Sequence, residues 1–220
     1  MQTGIPVARM ELLDDVQMGA CITYSKLEGY DEKPTIFFEF HGTETGAKEQ
    51  AETVQAIAEE FGGSAFQWTS KMEDRNKLWQ ARHDAYYAAI ALRSGCQGWA
   101  TDVCVPVSRL AECINETKDD LEETGLISPL VGHVGDGNFH MLYIVDPNNQ
   151  EEMAKAQAHS DRMVMRALEM GGTCTGEHGV GYGKIHFLTN EHGDAMSLMR
   201  SLKTAFDPDN IMNPGKIVNI

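Results

Sequence analysis

The chain has 220 residues, of which 42% are hydrophobic, so it can bury the core of one generous domain or of two small ones. Its formal net charge of −15 argues against nucleic acid and anionic membrane surfaces as partners, because both carry charge of the same sign. Five scattered cysteines without a CxxC pair indicate free thiols in a reducing compartment. With no membrane-length apolar run and no leader segment recognised, we expect a cytoplasmic protein.

The first part of the chain alternates predicted helices and strands. Residues 1–7 are a short tail, and the stretch 8–24 that follows predicts a helix. Residues 34–40 are β-branched and aromatic, which predicts a strand. Apolar residues at helical spacing then predict a helix that ends at Gly62 and Gly63. Residues 64–69 are a candidate for a second short strand.

The middle of the chain adds longer helices. A helix is predicted over residues 71–92, a strand over 98–105 and an amphipathic helix over 106–123. Another helix covers residues 150–170 and is capped by two glycines. With a hairpin between the last two of these helices, the pattern fits an α+β fold in which helices lie on one side of an antiparallel sheet. The segment 174–220 is predicted to be mostly helical.

The predicted hairpin carries two histidines. An Asp-Gly dipeptide is a strong signal for a tight turn, here between strands at 130–134 and 139–145. A symmetric loop of two or four residues places His133 opposite His140. Directly opposed side chains on one face have Cβ atoms about 4.5–5.5 Å apart, so the two imidazoles can converge on one metal ion. The alternative is a histidine pair that is packed or solvated on the sheet face.

A glycine-flanked loop offers a third ligand. Glu177 and His178 are adjacent within Thr175–Gly179, just before a Gly-rich run that predicts the start of a helix. A glutamate would complete a set of two histidines and one carboxylate with open positions for substrate. The adjacent His178 would then be free to move a proton. The alternative is an ordinary helix entry with solvated polar residues.

Five motifs in order resemble the C-terminal half of the FAD-linked oxidase family. They are VGHVGDGNFH, TGEHGVGYGK, LWQARHDAYYA, TDVCVPVSRL and FDPDNIMNPGK. Among its members, the flavin-type D-lactate and D-2-hydroxyacid dehydrogenases are the most similar. The resemblance implies a ferredoxin-like sheet in a substrate or cap domain over residues 8–173. It also implies that the helical segment 174–220 packs toward a flavin domain.

The resemblance implies a cofactor held mostly elsewhere. In the family an N-terminal domain binds FAD, and we expect that domain to be missing from this sequence, as a fragment or as the product of a split gene. The face that normally covers the flavin would then be exposed. An exposed apolar patch tends to find a partner, so we expect contact with a flavin-bearing partner or a homo-oligomer.

The implied reaction oxidises a D-2-hydroxy acid to a 2-oxo acid. A divalent zinc, manganese or iron ion held by His133, His140 and Glu177 would bind the substrate, and His178 would act as general base. The hydride would pass to FAD. The alternatives are a non-catalytic binding or assembly module and a subunit of a glycolate-oxidase-like complex.

Further residues take roles from the resemblance alone. Arg82 matches the arginine that binds the substrate carboxylate, and Asn213 and Lys216 match the flavin-adjacent tail. Members that act on 2-hydroxyglutarate carry a lysine and a tyrosine just before the aspartate at position 102, where this chain has residues 99–101 as Trp-Ala-Thr. The missing cation favours a small monocarboxylic substrate such as D-lactate.

Overall fold

The computed structural model describes residues 3–220 and contains an antiparallel sheet. Its strands are β1 (Val7–Leu13), β2 (Thr35–Phe40), β3 (Gln97–Ala100), β4 (Val103–Cys104), β5 (Leu130–His133) and β6 (Asn138–Val145). Within the described residues they form one six-stranded sheet in the order β2-β1-β5-β6-β3, and β4 also pairs with β6. Each pairing is antiparallel, which confirms the predicted α+β class.

The helices connect these strands and follow them toward the C-terminus. They are α1 (Asp15–Ser25), α2 (Glu44–Glu60), α3 (Met72–His83), α4 (Ala85–Ile90), α5 (Val107–Glu122), α6 (Gln150–Glu169), α7 (Leu188–His192) and α8 (Ala195–Phe206). A short 3-10 turn, Ile185–Phe187, precedes α7. Among the helices described, none is long and apolar enough to cross a membrane.

Alternation along β6 separates two layers of core. Phe139, Met141 and Tyr143 are fully buried in the cluster that α5 and α6 complete. Leu142 and Ile144 point to the other face, where α4 packs on the sheet and α1 packs on α4. Helices therefore pack on both faces of the sheet, whereas the prediction placed them on one side only. Toward the hairpin turn this second face becomes polar.

The predicted helix over residues 8–24 is wrong in its first half. Residues from Val7 to Leu13 form β1, which pairs with β2 on one side and β5 on the other. Pairing with two distant strands outweighs the local helical spacing of the apolar residues. Helix α1 begins only after Asp14, whose carboxylate accepts a hydrogen bond from the Gln17 backbone N–H at 2.8 Å.

Three other element predictions need correction. The helix predicted over 71–92 is divided into α3 and α4 at Asp84, where ψ is 0° instead of helical. The candidate strand at 64–69 is not formed. The strand predicted over 98–105 is interrupted at Thr101 and Asp102, although Ala100 opposite Leu142 and Val103 opposite Phe139 keep one register along β6. Thr101 and Asp102, where the strand is interrupted, face His140.

The C-terminal segment joins the main core, but it is helical only in part, over Ile185–Phe187, Leu188–His192 and Ala195–Phe206, which is less than predicted for 174–220. Phe187, Leu188, Met196 and Val218 are buried in the same cluster as the sheet. One side of α8 remains apolar and exposed, with Phe206 at 81% relative exposure. The predicted tail at 1–7 is shorter than expected because β1 already starts at Val7, and residues 1 and 2 lie outside the described residues.

Candidate metal and substrate site

The two histidines lie on adjacent strands but not directly opposite one another. His133 pairs with Asn138, and Val131 pairs with His140, so the predicted register is wrong by two residues. A shift of two leaves both side chains on the same face, because strand side chains alternate with a period of two. The ring centroids are 5.6 Å apart. The rings therefore still meet, as diagonal neighbours.

The position of the turn explains the shift in register. The loop spans residues 134–137 and is not centred on the Asp-Gly dipeptide. Gly137 closes it with φ +80°, a left-handed conformation that favours glycine. A Cβ at this position would lie 2.0 Å from the Val105 carbonyl oxygen, so close backbone approach also requires glycine.

Glu177 brings a carboxylate to the two imidazoles. Its Oε1 lies 3.1 Å from Nε2 of His140 and 3.6 Å from Nε2 of His133. One ligand atom from each of the three residues lies within 4.8 Å of the others. The structure thus brings together the three residues that the sequence predicted as ligands of one ion.

Hydrogen bonds on the far sides of the rings fit metal binding. Nδ1 of His140 lies 2.8 Å from the Thr101 carbonyl oxygen, which can only accept, so this nitrogen carries the proton. Nδ1 of His133 lies 2.9 Å from a carboxylate oxygen of Glu11. Both Nε2 atoms are then free to bind an ion, which is the usual arrangement of metal-binding histidines. Two nitrogens and one carboxylate oxygen suit zinc, manganese or iron.

Glu11 is a site residue that the sequence analysis missed. It lies directly opposite His133 in the pairing of β1 with β5. Burial disfavours its ionised form, but the hydrogen bond from His133 and the charge of Arg82 lower the pKa of Glu11 below its ordinary value. The hydrogen bond to Glu11 raises the pKa of His133. One local signal could have separated β1 from α1, namely Asp14, an aspartate in the N-cap position of the helix.

Asp102 anchors the loop that carries Glu177. Its side chain is 3% exposed, and it accepts hydrogen bonds from several groups around it. These donors are the Thr175 hydroxyl at 2.7 Å, the backbone N–H groups of Gly176, Glu177 and His178 at 2.9, 3.1 and 3.0 Å, and Asn138 Nδ2 at 2.8 Å. Burial opposes ionisation, yet these hydrogen bonds hold the pKa of Asp102 well below its usual range.

Two further residues lie against the buried carboxylate of Asp102. Lys184 donates from Nζ to the Asp102 carbonyl oxygen at 2.6 Å and lies 3.5 Å from Oδ2. Burial lowers the pKa of Lys184. A Cβ on Gly176 would lie 1.9 Å from Asn138 Nδ2 and 2.9 Å from Asp102 Oδ1, so the loop can approach the anchor only with glycine there.

His178 stands at the edge of the cluster. Its ring centroid is 5.3 Å from that of His140, and its Nε2 is 3.4 Å from Glu177 Oε1. The side chain is 62% exposed, so it is accessible to a small molecule beside the three candidate ligands. This placement is compatible with the predicted role in proton transfer.

Arg82 is close to the site through Glu11. Its Nη2 lies 2.9 Å from Glu11 Oε2, and its Nε is buried without a hydrogen-bond partner in the described chain. The guanidinium thus faces a carboxylate of the protein itself. Binding of a substrate carboxylate by Arg82 stays a prediction.

The tail residues lie beside the Gly-rich run. The Lys216 ammonium group lies 5.4 Å from the centre of the Tyr182 ring, and the Ile217 backbone N–H donates to the Gly181 carbonyl at 3.0 Å. Asn213 has φ +47° at a turn in the same tail. Their roles near a flavin stay predictions.

Comparison with known proteins gives consistent matches over nearly the whole chain. A family model described as FAD linked oxidases, C-terminal domain, matches residues 1–217. The chain is 48% identical to a probable mitochondrial D-lactate dehydrogenase of Danio rerio, over 100% of this chain and 44% of that protein. It is 43% identical to the mitochondrial D-lactate dehydrogenase [cytochrome] of Arabidopsis thaliana, over 99% of this chain and 38% of that protein.

More distant matches extend this picture. The glycolate oxidase subunit GlcD of Bacillus subtilis is 30% identical over 96% of this chain and 45% of its own length. A solved structure of 4-ethylphenol oxidase from Gulosibacter chungangensis has a TM-score of 0.69 at 14% identity, covering 96% of this chain and 47% of that one. That likeness shows the fold alone. The chain spans less than half the length of each of these proteins.

These names correct the predicted location. The Danio rerio, Arabidopsis thaliana and Saccharomyces cerevisiae relatives are all named mitochondrial, which contradicts the expectation of a cytoplasmic protein. The expectation rested on the lack of a recognised leader segment or membrane-length run together with free cysteines, and free thiols report a reducing environment without identifying the compartment.

Proposed function

The chain belongs to the family of FAD linked oxidases, C-terminal domain, and from this premise we propose that it binds the substrate and a divalent metal ion in an FAD-dependent D-2-hydroxyacid dehydrogenase. The family is enzymatic, since several relatives are named D-lactate dehydrogenases. The proposed reaction oxidises the hydroxy acid, most simply D-lactate, to the 2-oxo acid. We assign the FAD mainly to the part of the relatives' length that this chain does not match.

The observation that carries the proposal is the cluster of His133, His140 and Glu177. Their ligand atoms lie within 4.8 Å of one another, and both histidines have Nδ1 engaged elsewhere. When bound, the metal ion would supply Lewis-acid polarisation of the substrate hydroxyl and FAD would supply a hydride acceptor. We propose zinc, manganese or iron, because the donors are nitrogen and oxygen.

We assign proton transfer, substrate binding and positioning of the loop to side chains of the protein itself. His178 accepts the proton of the substrate hydroxyl, since its exposed imidazole lies beside Glu177 and histidine is the side chain most often used as a general base. Arg82 attracts the substrate carboxylate, for which a guanidinium fork is well suited. Asp102 holds the loop so that Glu177 and His178 keep their positions.

The residues just before Asp102 favour a small monocarboxylic substrate. They are Trp99, Ala100 and Thr101, where the members that act on 2-hydroxyglutarate carry a lysine and a tyrosine. None of the three offers a positive charge to a second carboxylate. An unpaired second carboxylate would lose solvation there at a cost of several kcal/mol. A short monocarboxylic acid is therefore the proposed substrate class.

We assign the exposed side of α8 to a partner. Leu198, Leu202 and Phe206 share this side and are all exposed. An exposed apolar patch on a protein with a net charge of −15 is suited to a specific contact, either with the flavin-bearing part or with a second copy. The alternative function, a binding or assembly module without catalysis, uses the same surface.

Metal analysis tests the first step of the proposal. We expect the purified chain to bind about one zinc or manganese ion and His133→Ala to lose it, whereas His186→Ala, which changes an exposed histidine outside the cluster, should bind normally. Wild-type chain without metal, or His133→Ala with full occupancy, would contradict the ligand set.

Reconstitution tests the reaction itself. The chain is combined with a flavin-bearing partner, and D-lactate oxidation is followed with a dye as electron acceptor. We expect turnover that His178→Ala lowers by about 10²–10⁴-fold, the usual contribution of a general base. Normal flavin and metal loading without oxidation of any 2-hydroxy acid would favour the non-catalytic alternative.

A further inference from the structure

We propose that Glu11 is a positioning residue that holds His133 with its Nε2 free for a metal ion and also fixes Arg82 beside the site. This inference rests on the proposed metal site, which it deepens. It assigns Arg82 a partner within the protein in addition to any substrate. No feature of the local sequence around Glu11 pointed to this role.

The strand register brings Glu11 and His133 together. They are directly opposed residues of β1 and β5, so their side chains leave the sheet on the same face. A carboxylate oxygen of Glu11 lies 2.9 Å from Nδ1 of His133. An ionised carboxylate can only accept, so Nδ1 must donate and carry the proton. The lone pair of the ring is then on Nε2, on the side that faces Glu177.

The same carboxylate holds the guanidinium of Arg82. Nη2 of Arg82 lies 2.9 Å from Glu11 Oε2. Glu11 is 9% exposed, so both contacts are shielded from water and geometrically constrained. Arg82 comes from α3 and His133 from β5, and Glu11 thus connects a helix to the hairpin that carries the histidines.

Glu11 acts through His133 and is not itself a candidate ligand. The cluster of possible ligand atoms consists of His133, His140 and Glu177, and Glu11 contacts the opposite nitrogen of the His133 ring. Carboxylates in this outer position orient the ring and increase its basicity. Their removal typically lowers metal affinity by about 10–100-fold.

The chain offers a matched control in Glu39. Its side chain is 13% exposed, close to the 12% exposure of the Glu11 side chain alone, and it pairs with Arg9 at 3.1 Å on the same sheet. It contacts neither His133 nor Arg82 in the described structure. Replacing Glu39 therefore removes a comparably buried carboxylate, paired with a more exposed arginine, without touching the site.

The test compares Glu11→Ala, Glu11→Gln and Glu39→Ala in the whole chain. Zinc affinity is measured by competition with a chromophoric chelator. We expect Glu11→Ala to weaken zinc binding about 10–100-fold and Glu11→Gln by less than about tenfold, because its amide oxygen still accepts from Nδ1. Glu39→Ala should bind zinc like the wild type, and thermal melts identify any variant that fails to fold.

A second readout needs no metal. The ¹⁵N shifts of the His133 ring in the metal-free chain report which nitrogen is protonated when the ring is neutral. We expect Nδ1–H in the wild type and in Glu11→Gln, and a mixture with Nε2–H in Glu11→Ala. Predominant Nε2–H in the wild type would overturn the proposal, as would a Glu11→Ala chain that is folded and unchanged in both readouts.

The two readouts separate this inference from the proposed function. If the wild-type chain binds no zinc but shows the Nδ1–H form that depends on Glu11, the metal site fails while the positioning role of Glu11 stands. If the wild type binds zinc and a folded Glu11→Ala chain matches it in both zinc affinity and ring protonation, the metal site stands and the inference about Glu11 is wrong.

Discussion

Replacing Asp102 with asparagine should loosen the loop that carries Glu177 and His178. Oδ2 of Asp102 accepts from the Thr175 hydroxyl and from three consecutive backbone N–H groups, while Oδ1 accepts from Asn138. An asparagine has only one oxygen for these two sides. Whichever way its amide turns, an NH₂ group faces N–H donors, either those of the loop or Asn138 Nδ2, which would keep only its second acceptor, the Val103 carbonyl oxygen.

The size of the effect follows from the number of bonds. A hydrogen bond to a charged acceptor contributes about 1.5–3 kcal/mol, and leaving a buried network half satisfied costs about 3–5 kcal/mol. That is a large share of the roughly 5–15 kcal/mol that holds a domain folded. For a chain of this size we expect the melting temperature of Asp102→Asn to fall by roughly 6–20 °C.

The pH dependence has a defined sign. The folded-state pKa of Asp102 is held below its unfolded value of about 3.9 by the hydrogen bonds of the loop. Its contribution to stability is therefore complete above about pH 4 and is lost as the pH falls toward the folded pKa. Asp102→Asn should reduce this acid-dependent loss of stability.

Urea unfolding at several pH values and a zinc titration measure these effects. The matched control is Asp136→Asn, which changes an exposed carboxylate on the turn of the same hairpin. Asp102→Asn should unfold at lower urea and bind zinc more weakly, while Asp136→Asn should match the wild type. If Asp102→Asn unfolds at the wild-type midpoint and keeps the wild-type zinc affinity, the anchoring role is wrong.

Three further perturbations test other parts of the structure. Gly176→Ala should abolish zinc binding in a folded chain because the added Cβ would lie 1.9 Å from Asn138 Nδ2, whereas Gly183→Ala meets nothing within 4 Å and should leave the titration unchanged. Burial lowers the pKa of His159, so the unfolded state takes up a proton first and stability should decrease below about pH 6.5. His159→Gln should make this decrease in urea midpoints smaller, although the lowered pKa of His140 still contributes to it, and a decrease as large as in the wild type would contradict the assignment. Phe206→Glu should shift any self-association seen in sedimentation velocity toward monomer, and an unchanged distribution of oligomers would argue against α8 as the contact.

Part of the site was predictable because its residues are close in sequence. His133 and His140 belong to one hairpin, and Glu177 and His178 belong to one loop. The register error of two residues did not separate the histidines, since an even shift keeps the face while an odd one would have turned one ring away. The contact of Glu177 with both rings required the fold, because about 40 residues, including α6, separate the loop from the hairpin in sequence.

The residues around the ligands were harder to predict. Glu11 is far in sequence from His133 and Arg82, and its strand looks helical from local spacing alone. Asp102 lies where a continuous strand was predicted, yet its value to the site comes from the loop that folds over it. Such contacts between distant segments leave no periodic signal in the sequence.

The sequence by itself determined the α+β class, the hairpin, most of the long helices and the identity of the three candidate ligands, because these depend on local periodicity and turn chemistry. Only the tertiary structure decided that β1 is a strand, that its Glu11 supports His133, and that Asp102 anchors the Glu177 loop. The physical reason is that pairing and burial between distant segments can exceed local propensity by several kcal/mol, and a single sequence does not record which segments meet.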